Sequence, residues 1–157
     1  MSITFNIEDV DFKLVHKIRL TKWISTVIRN QGMKVGDIAY LFTNDERVYE
    51  TNMQFLNHDT YTDIITFDYV EGDRVSGDIV ISVDRVRENA EQFGDGFQRE
   101  LHRVIIHGIL HLLGQGDKTR REASQMRKKE QAALELWDRD FAPLYYDHVG
   151  NVSRGTK

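Results

Sequence analysis

The stretch "HGILHLLGQGDKT", residues 107 to 119, sets His107 and His111 four apart and follows them with Gly114 and Asp117. On an α-helix, residues four apart share one face with Cβ atoms about 5–6 Å apart, so two imidazoles can share one metal ion without backbone strain. Gly114 tolerates the positive φ of a sharp turn, and such a turn would bring Asp117 back beside the histidines. Two imidazoles and one carboxylate leave the fourth position of a tetrahedral zinc site to water, as in catalytic rather than closed structural centres. The competing reading is a pair of hydrogen-bonded core histidines. Burying two imidazoles without strong partners costs about 1–3 kcal/mol each, and a shared ion removes that cost. His107, His111 and Asp117 are therefore the expected metal ligands, with one zinc ion, or another divalent metal, as the expected cofactor.

The spacing HxxxHxxGxxD is also that of zinc peptidases, apart from one position. In those enzymes the residue after the first histidine is a glutamate that takes a proton from the attacking water. Here it is Gly108, which has no basic group, so peptidase chemistry by that route is not expected.

The elements that must position these residues follow from periodicity. Residues 3–7 alternate as a short strand, and "IAYLF" at 38–42 reads as a buried strand. Between them Leu20, Trp23, Ile24, Val27 and Ile28 recur at helical spacing up to a stop at "NQG". Asn44 and Asp45 are expected to cap a helix whose Val48, Phe55 and Leu56 face inward. "DIITFDYV" and "SGDIVIS", joined by "EGDR", predict an antiparallel hairpin. Val83, Val86, Ala90 and Phe93 mark a helix closed by "FGDGF". The histidine helix, roughly 97–113, is apolar nearly all round and is expected at the protein's centre. A last helix, about 120–138, should bury Ala123, Met126, Ala133, Leu134 and Trp137.

With no repeat, linker or low-complexity stretch, one domain is expected over residues 1–146, with a polar, flexible tail at 147–157. Its class is α+β: a mixed sheet of about four strands, a central buried metal-binding helix and surrounding helices. The chain of 157 residues is 40% hydrophobic and 29% charged, ordinary globular values. It has no apolar run long enough to span a membrane, and its N-terminus lacks a secretion pattern, so a cytoplasmic location is expected and no membrane partner. Without cysteine, any metal must be held by His, Asp or Glu. A net charge of −4 argues against a surface coated for nucleic acid. The charge is uneven, however: Lys118, Arg120, Arg121, Arg127, Lys128 and Lys129 face one acid, Glu122, in "KTRREASQMRKK". That segment is either a solvated helix face or a local phosphate-binding surface.

"FLNHDTYTDIITFDY" at 55–69, "GDIVIS" at 77–82 and "HGILHLLG" together resemble the YbeY family of bacterial rRNA-processing endoribonucleases. Gly after the first histidine separates that family from zinc peptidases, and Thr62-Asp63, Phe67 and Gly77-Asp78-Ile79 follow in its order and spacing. The resemblance covers roughly residues 38 to 138. It implies a metal-dependent, single-strand-specific endoribonuclease acting in ribosomal RNA maturation and ribosome quality control, with single-stranded RNA and the ribosome as partners and no DNA. The family holds zinc through three histidines in HGxLHLxGxDH. The first two fall on His107 and His111, and the third falls on Asp117, with Gly116 and Gln115 at the family's Asp and aromatic positions. A carboxylate there makes the site more anionic and more tolerant of other divalent ions. The family's arginine and proline in YRxxDxPTD fall on Leu56 and Tyr61, so if that arginine meets the phosphate, this chain either uses another cation, the basic segment after Asp117 being nearest in sequence, or is less active.

Attack by water at the metal and attack by the RNA 2′-hydroxyl both remain open, and a 5′-phosphate product would exclude the second. His58 and Asp63 could carry or orient a proton, or simply belong to turns. Glu130 interrupts the last helix's apolar stripe, either as an acceptor for a ligand histidine or as an edge residue reaching solvent. None of these is assigned as catalytic. The remaining alternatives are a non-catalytic ribosome-binding module that keeps a metal for stability, and a peptidase-like hydrolase.

Overall fold

The computed structural model describes residues 2–146 and 152–154. Its centre is a sheet in the order β1-β2-β4-β3. Strands β1 (Ser2–Ile7), β2 (Lys34–Thr43) and β4 (Arg74–Ser82) run parallel. At one edge β3 (Ile64–Asp68) runs antiparallel to β4. This is the mixed, four-stranded α+β arrangement expected, and the hairpin is closed by backbone bonds exchanged between Glu71 and Arg74.

Alternation along the strands sorts the two faces. Ile38, Tyr40, Phe42, Ile79 and Ile81 join the main core, whereas Ile65 and Val80 point the other way and pack with Val48. Val48 lies on α2 (Asp45–Leu56), capped by the Asn44 side chain accepting from the Arg47 amide. The main core is completed by α1 (Lys17–Asn30), α3 (Val83–Phe93) and α4 (Phe97–Leu112), and by α5 (Arg120–Leu136) running into a π-helical turn at Trp137–Phe141. Two buried side chains tie these layers together. The Tyr40 hydroxyl donates to the Ile105 carbonyl at 2.8 Å, and Trp23 Nε1 donates to the Ala133 carbonyl at 2.8 Å.

The helix carrying the histidines lies hard against the sheet. A Cβ on Gly108 would sit 3.0 Å from an Ile79 methyl and 3.1 Å from Ile64, and one on Gly77 would sit 2.6 Å from the Phe67 carbonyl and 3.0 Å from Leu112. Gly108 thus faces the sheet, where a glutamate would be pressed into apolar side chains.

Several inward-facing expectations are corrected. Phe55 and Leu56 are 63% and 38% exposed, because the last turn of α2 reaches beyond the core that Val48 and the buried Asn52 fill. Phe93 is 62% exposed at the end of α3, and Ala123 is exposed in the first turn of α5. The predicted tail at 147–157 lies outside the described residues except for Val152–Arg154, a strand β6 antiparallel to β5 (Leu144–Tyr146). Among the described residues no helix is long and apolar enough to cross a membrane.

Candidate metal centre

The His107 and His111 rings sit side by side on α4, their centroids 4.6 Å apart. The helix ends directly after them. Gly114 takes φ 98°, and the Gln115 amide donates to the Leu110 carbonyl at 2.9 Å. The returning loop is then fixed by a capping box at the start of α5, in which Thr119 and Glu122 satisfy each other's backbone amides. Gly116 leaves room for that carboxylate, since a Cβ there would meet Glu122 Oε2 at 2.5 Å. Asp117 is delivered by this loop.

The result is one cluster. Asp117 Oδ2 lies 3.3 Å from His107 Nε2 and 3.3 Å from His111 Nε2. Ligand atoms on a tetrahedron with bonds of about 2.0–2.2 Å lie about 3.3–3.6 Å apart, so each histidine stands at the separation from Asp117 that one small divalent ion requires. Among the described residues this is the one group of three or more potential ligands, with all its donor atoms within 4.8 Å of one another. The residues present fit a metal ion.

Behind His107 stands Glu130, 5% exposed, with Oε2 at 2.6 Å from His107 Nδ1. A carboxylate can only accept, so Nδ1 carries a proton, and in the neutral form of the ring, the form that binds a metal, the Nε2 lone pair faces the cluster. Burial opposes the charged imidazolium, but the bond to Glu130 and the charges of Glu130, Asp63 and Asp117 outweigh it and raise the His107 pKa. Of the two readings of Glu130, the acceptor is the one the geometry bears out. Asp63 lines the same cleft as His107 and Asp117. Burial raises its carboxyl pKa, against the lowering pull of His107. His58 is exposed in the segment after α2, and Leu56 and Tyr61 carry no charge at their positions.

Two charged cleft residues escaped the sequence reading. Glu100, 5% exposed, and Arg103 precede the histidines on the same helix. Arg103 reaches Asp95 at 3.3 Å, Glu100 at 3.4 Å and Glu130 at 3.8 Å. Their signal was present: Glu100, Arg103, His107 and His111 recur at helical spacing as a polar stripe on a helix read as apolar all round. Arg127, from the basic segment, also lines the cleft, while Lys118, Arg120, Arg121, Lys128 and Lys129 are solvent-exposed.

The family model described as endoribonuclease YbeY matches residues 4–138. A protein named endoribonuclease YbeY from Bacteroides thetaiotaomicron is 51% identical over 136 residues, covering 87% of this chain and 99% of that relative. Its namesake from Phocaeicola vulgatus is 53% identical over 134 residues, covering 85% and 97%. The solution structure of TM1509 from Thermotoga maritima superposes with a TM-score of 0.56 at 27% identity, covering 87% of this chain and 91% of that one.

Proposed function

The chain belongs to the YbeY endoribonuclease family, and from that premise we propose that it is a metal-dependent, single-strand-specific endoribonuclease of the cytoplasm acting in ribosomal RNA maturation. The observation that carries the reading is the donor cluster: two Nε2 atoms, each 3.3 Å from one carboxylate oxygen, beside a cleft open to solvent that His107 and Asp117 line. His107, His111 and Asp117 hold the ion, and zinc suits this nitrogen-and-oxygen donor set. When bound, it polarises a phosphoryl oxygen and acidifies water.

The chain's own residues supply the rest. Glu130 keeps the proton of His107 on Nδ1 and fixes the ring's orientation. Asp63, whose raised pKa brings it nearer the working range of a proton carrier, holds or accepts a proton within the cleft. Arg127 replaces the charge that Leu56 lacks, with its guanidinium 3.5 Å from Glu130 and its side chain 64% exposed. Peptidase chemistry is disfavoured because Gly108 supplies no base and its position faces the apolar side chains of Ile64 and Ile79.

The reading is tested by incubating single-stranded RNA with wild-type protein and with His111→Ala, with and without chelator. Cleavage lost on chelation and in the variant supports it. Stoichiometric metal without chelator-sensitive cleavage overturns it in favour of a non-catalytic, metal-stabilised ribosome-binding module.

A further inference from the structure

The wall of the cleft carries an apolar group that the proposed chemistry does not use. Phe93 continues the helical repeat of Val83, Val86 and Ala90, all buried, yet it is 62% exposed. Its ring borders the cleft that holds His107, Asp117 and Arg127. Covering an exposed phenyl ring is favourable, so its position at the mouth of a reactive cleft calls for an occupant. The cleft's two guanidiniums differ in availability. Arg103 is 12% exposed and faces Asp95, Glu100 and Glu130, whereas Arg127 is 64% exposed and, among the described residues, makes one ion pair, to Glu130 at 3.5 Å.

An open aromatic face and an open guanidinium on one cleft match the two halves of a nucleotide, a base with a π-face and an anionic phosphate. An apolar protein segment would cover the ring but leave the guanidinium without an anion. A base inside a duplex has both faces covered by its neighbours, so the ring is available only to an unstacked one. We propose that Phe93 is a base-stacking residue. An unpaired base of single-stranded RNA lies on its ring, and the adjoining phosphate meets Arg127, which lays the chain across the His107–His111–Asp117 cluster. The inference rests on the endoribonuclease reading and adds to it the residue that grips the strand. Because stacking strengthens with ring area, adenine should be held more tightly than uracil.

The test uses the zinc-loaded full chain and fluorescently labelled single-stranded oligoadenylate and oligouridylate. Anisotropy is read on rapid mixing, ahead of cleavage, for wild type, Phe93→Ala and Phe93→Trp. Stacking of one base is worth about 1–3 kcal/mol, so Phe93→Ala should weaken oligoadenylate binding about 5- to 150-fold and abolish the preference for adenine. Phe93→Trp should restore both, and its indole emission should change when RNA is added. Unchanged affinity in Phe93→Ala, an equal loss for both oligonucleotides that tryptophan does not restore, or no binding by wild type each overturns the proposal. Binding that depends on Phe93 but leads to no cleavage sustains this proposal and sinks the endoribonuclease reading.

Discussion

Replacing Glu130 with alanine should weaken metal binding without touching a metal ligand. Glu130 meets His107 Nδ1 at 2.6 Å from a position only 5% exposed, a short, charge-assisted hydrogen bond. Carboxylate partners of ligand histidines are worth about 10- to 100-fold in metal affinity, or about 1.4–2.7 kcal/mol. At saturating metal the same free energy is lost from metal-dependent stabilisation, which for a chain of this size lowers the metal-induced rise in melting temperature by roughly 3–11 °C. Glu130 also faces Arg103 at 3.8 Å and Arg127 at 3.5 Å, so its removal alters the metal-free protein as well. The readout is therefore the difference between loaded and stripped melting temperatures within each variant, beside competition with a chromophoric chelator. Glu130→Gln retains an oxygen acceptor without the charge and should fall between wild type and alanine. An unchanged metal-dependent increment in Glu130→Ala would refute the role assigned to this carboxylate.

His102 gives a pH dependence unconnected with metal. It is 4% exposed and packed between Trp23 and Trp137, and burial, with the charge of Arg99, lowers its pKa to about 4. The unfolded chain therefore takes up this proton first as pH falls. Its stabilising contribution is full above the ordinary value of about 6.5 and is lost between there and about pH 4, amounting to roughly 3 kcal/mol. Between about pH 7 and pH 4 the stability of wild type should fall relative to that of His102→Phe by roughly 3 kcal/mol, read from urea midpoints across that range, and parallel curves would contradict the assignment. Gly77→Ala places a methyl 2.6 Å from the Phe67 carbonyl and should destabilise by about 1–3 kcal/mol, seen as a lower melting temperature with metal stoichiometry retained.

Much of this architecture is legible in the residues because the core imposes strict periods. Leu20, Trp23, Ile24, Val27 and Ile28 are all buried as their spacing requires, and Ile79 and Ile81 alternate with Val80 across the sheet. The His107–His111–Asp117 cluster was legible for a similar reason, since helical spacing and one glycine turn determine where those side chains can go. Hydropathy fails where an apolar residue lies past the edge of the packed layer. Phe55 rests edge-on against Phe67 at 6.0 Å, and Phe93 stands on the cleft wall. Nothing in their types marks them as surface residues. Glu130 was undecidable from α5 alone, because its burial depends on how that helix packs against α4. The stripe of Glu100 and Arg103 was hidden by the strength of the apolar pattern around it.

The central claim is that one divalent ion held by His107, His111 and Asp117 is required for RNA cleavage. It is met most directly by stripping the protein with chelator and titrating zinc back while following cleavage of a single-stranded RNA. Activity should be absent in the stripped protein, rise linearly and saturate at one equivalent. Activity that survives stripping, or that never appears once one equivalent is bound, would contradict it.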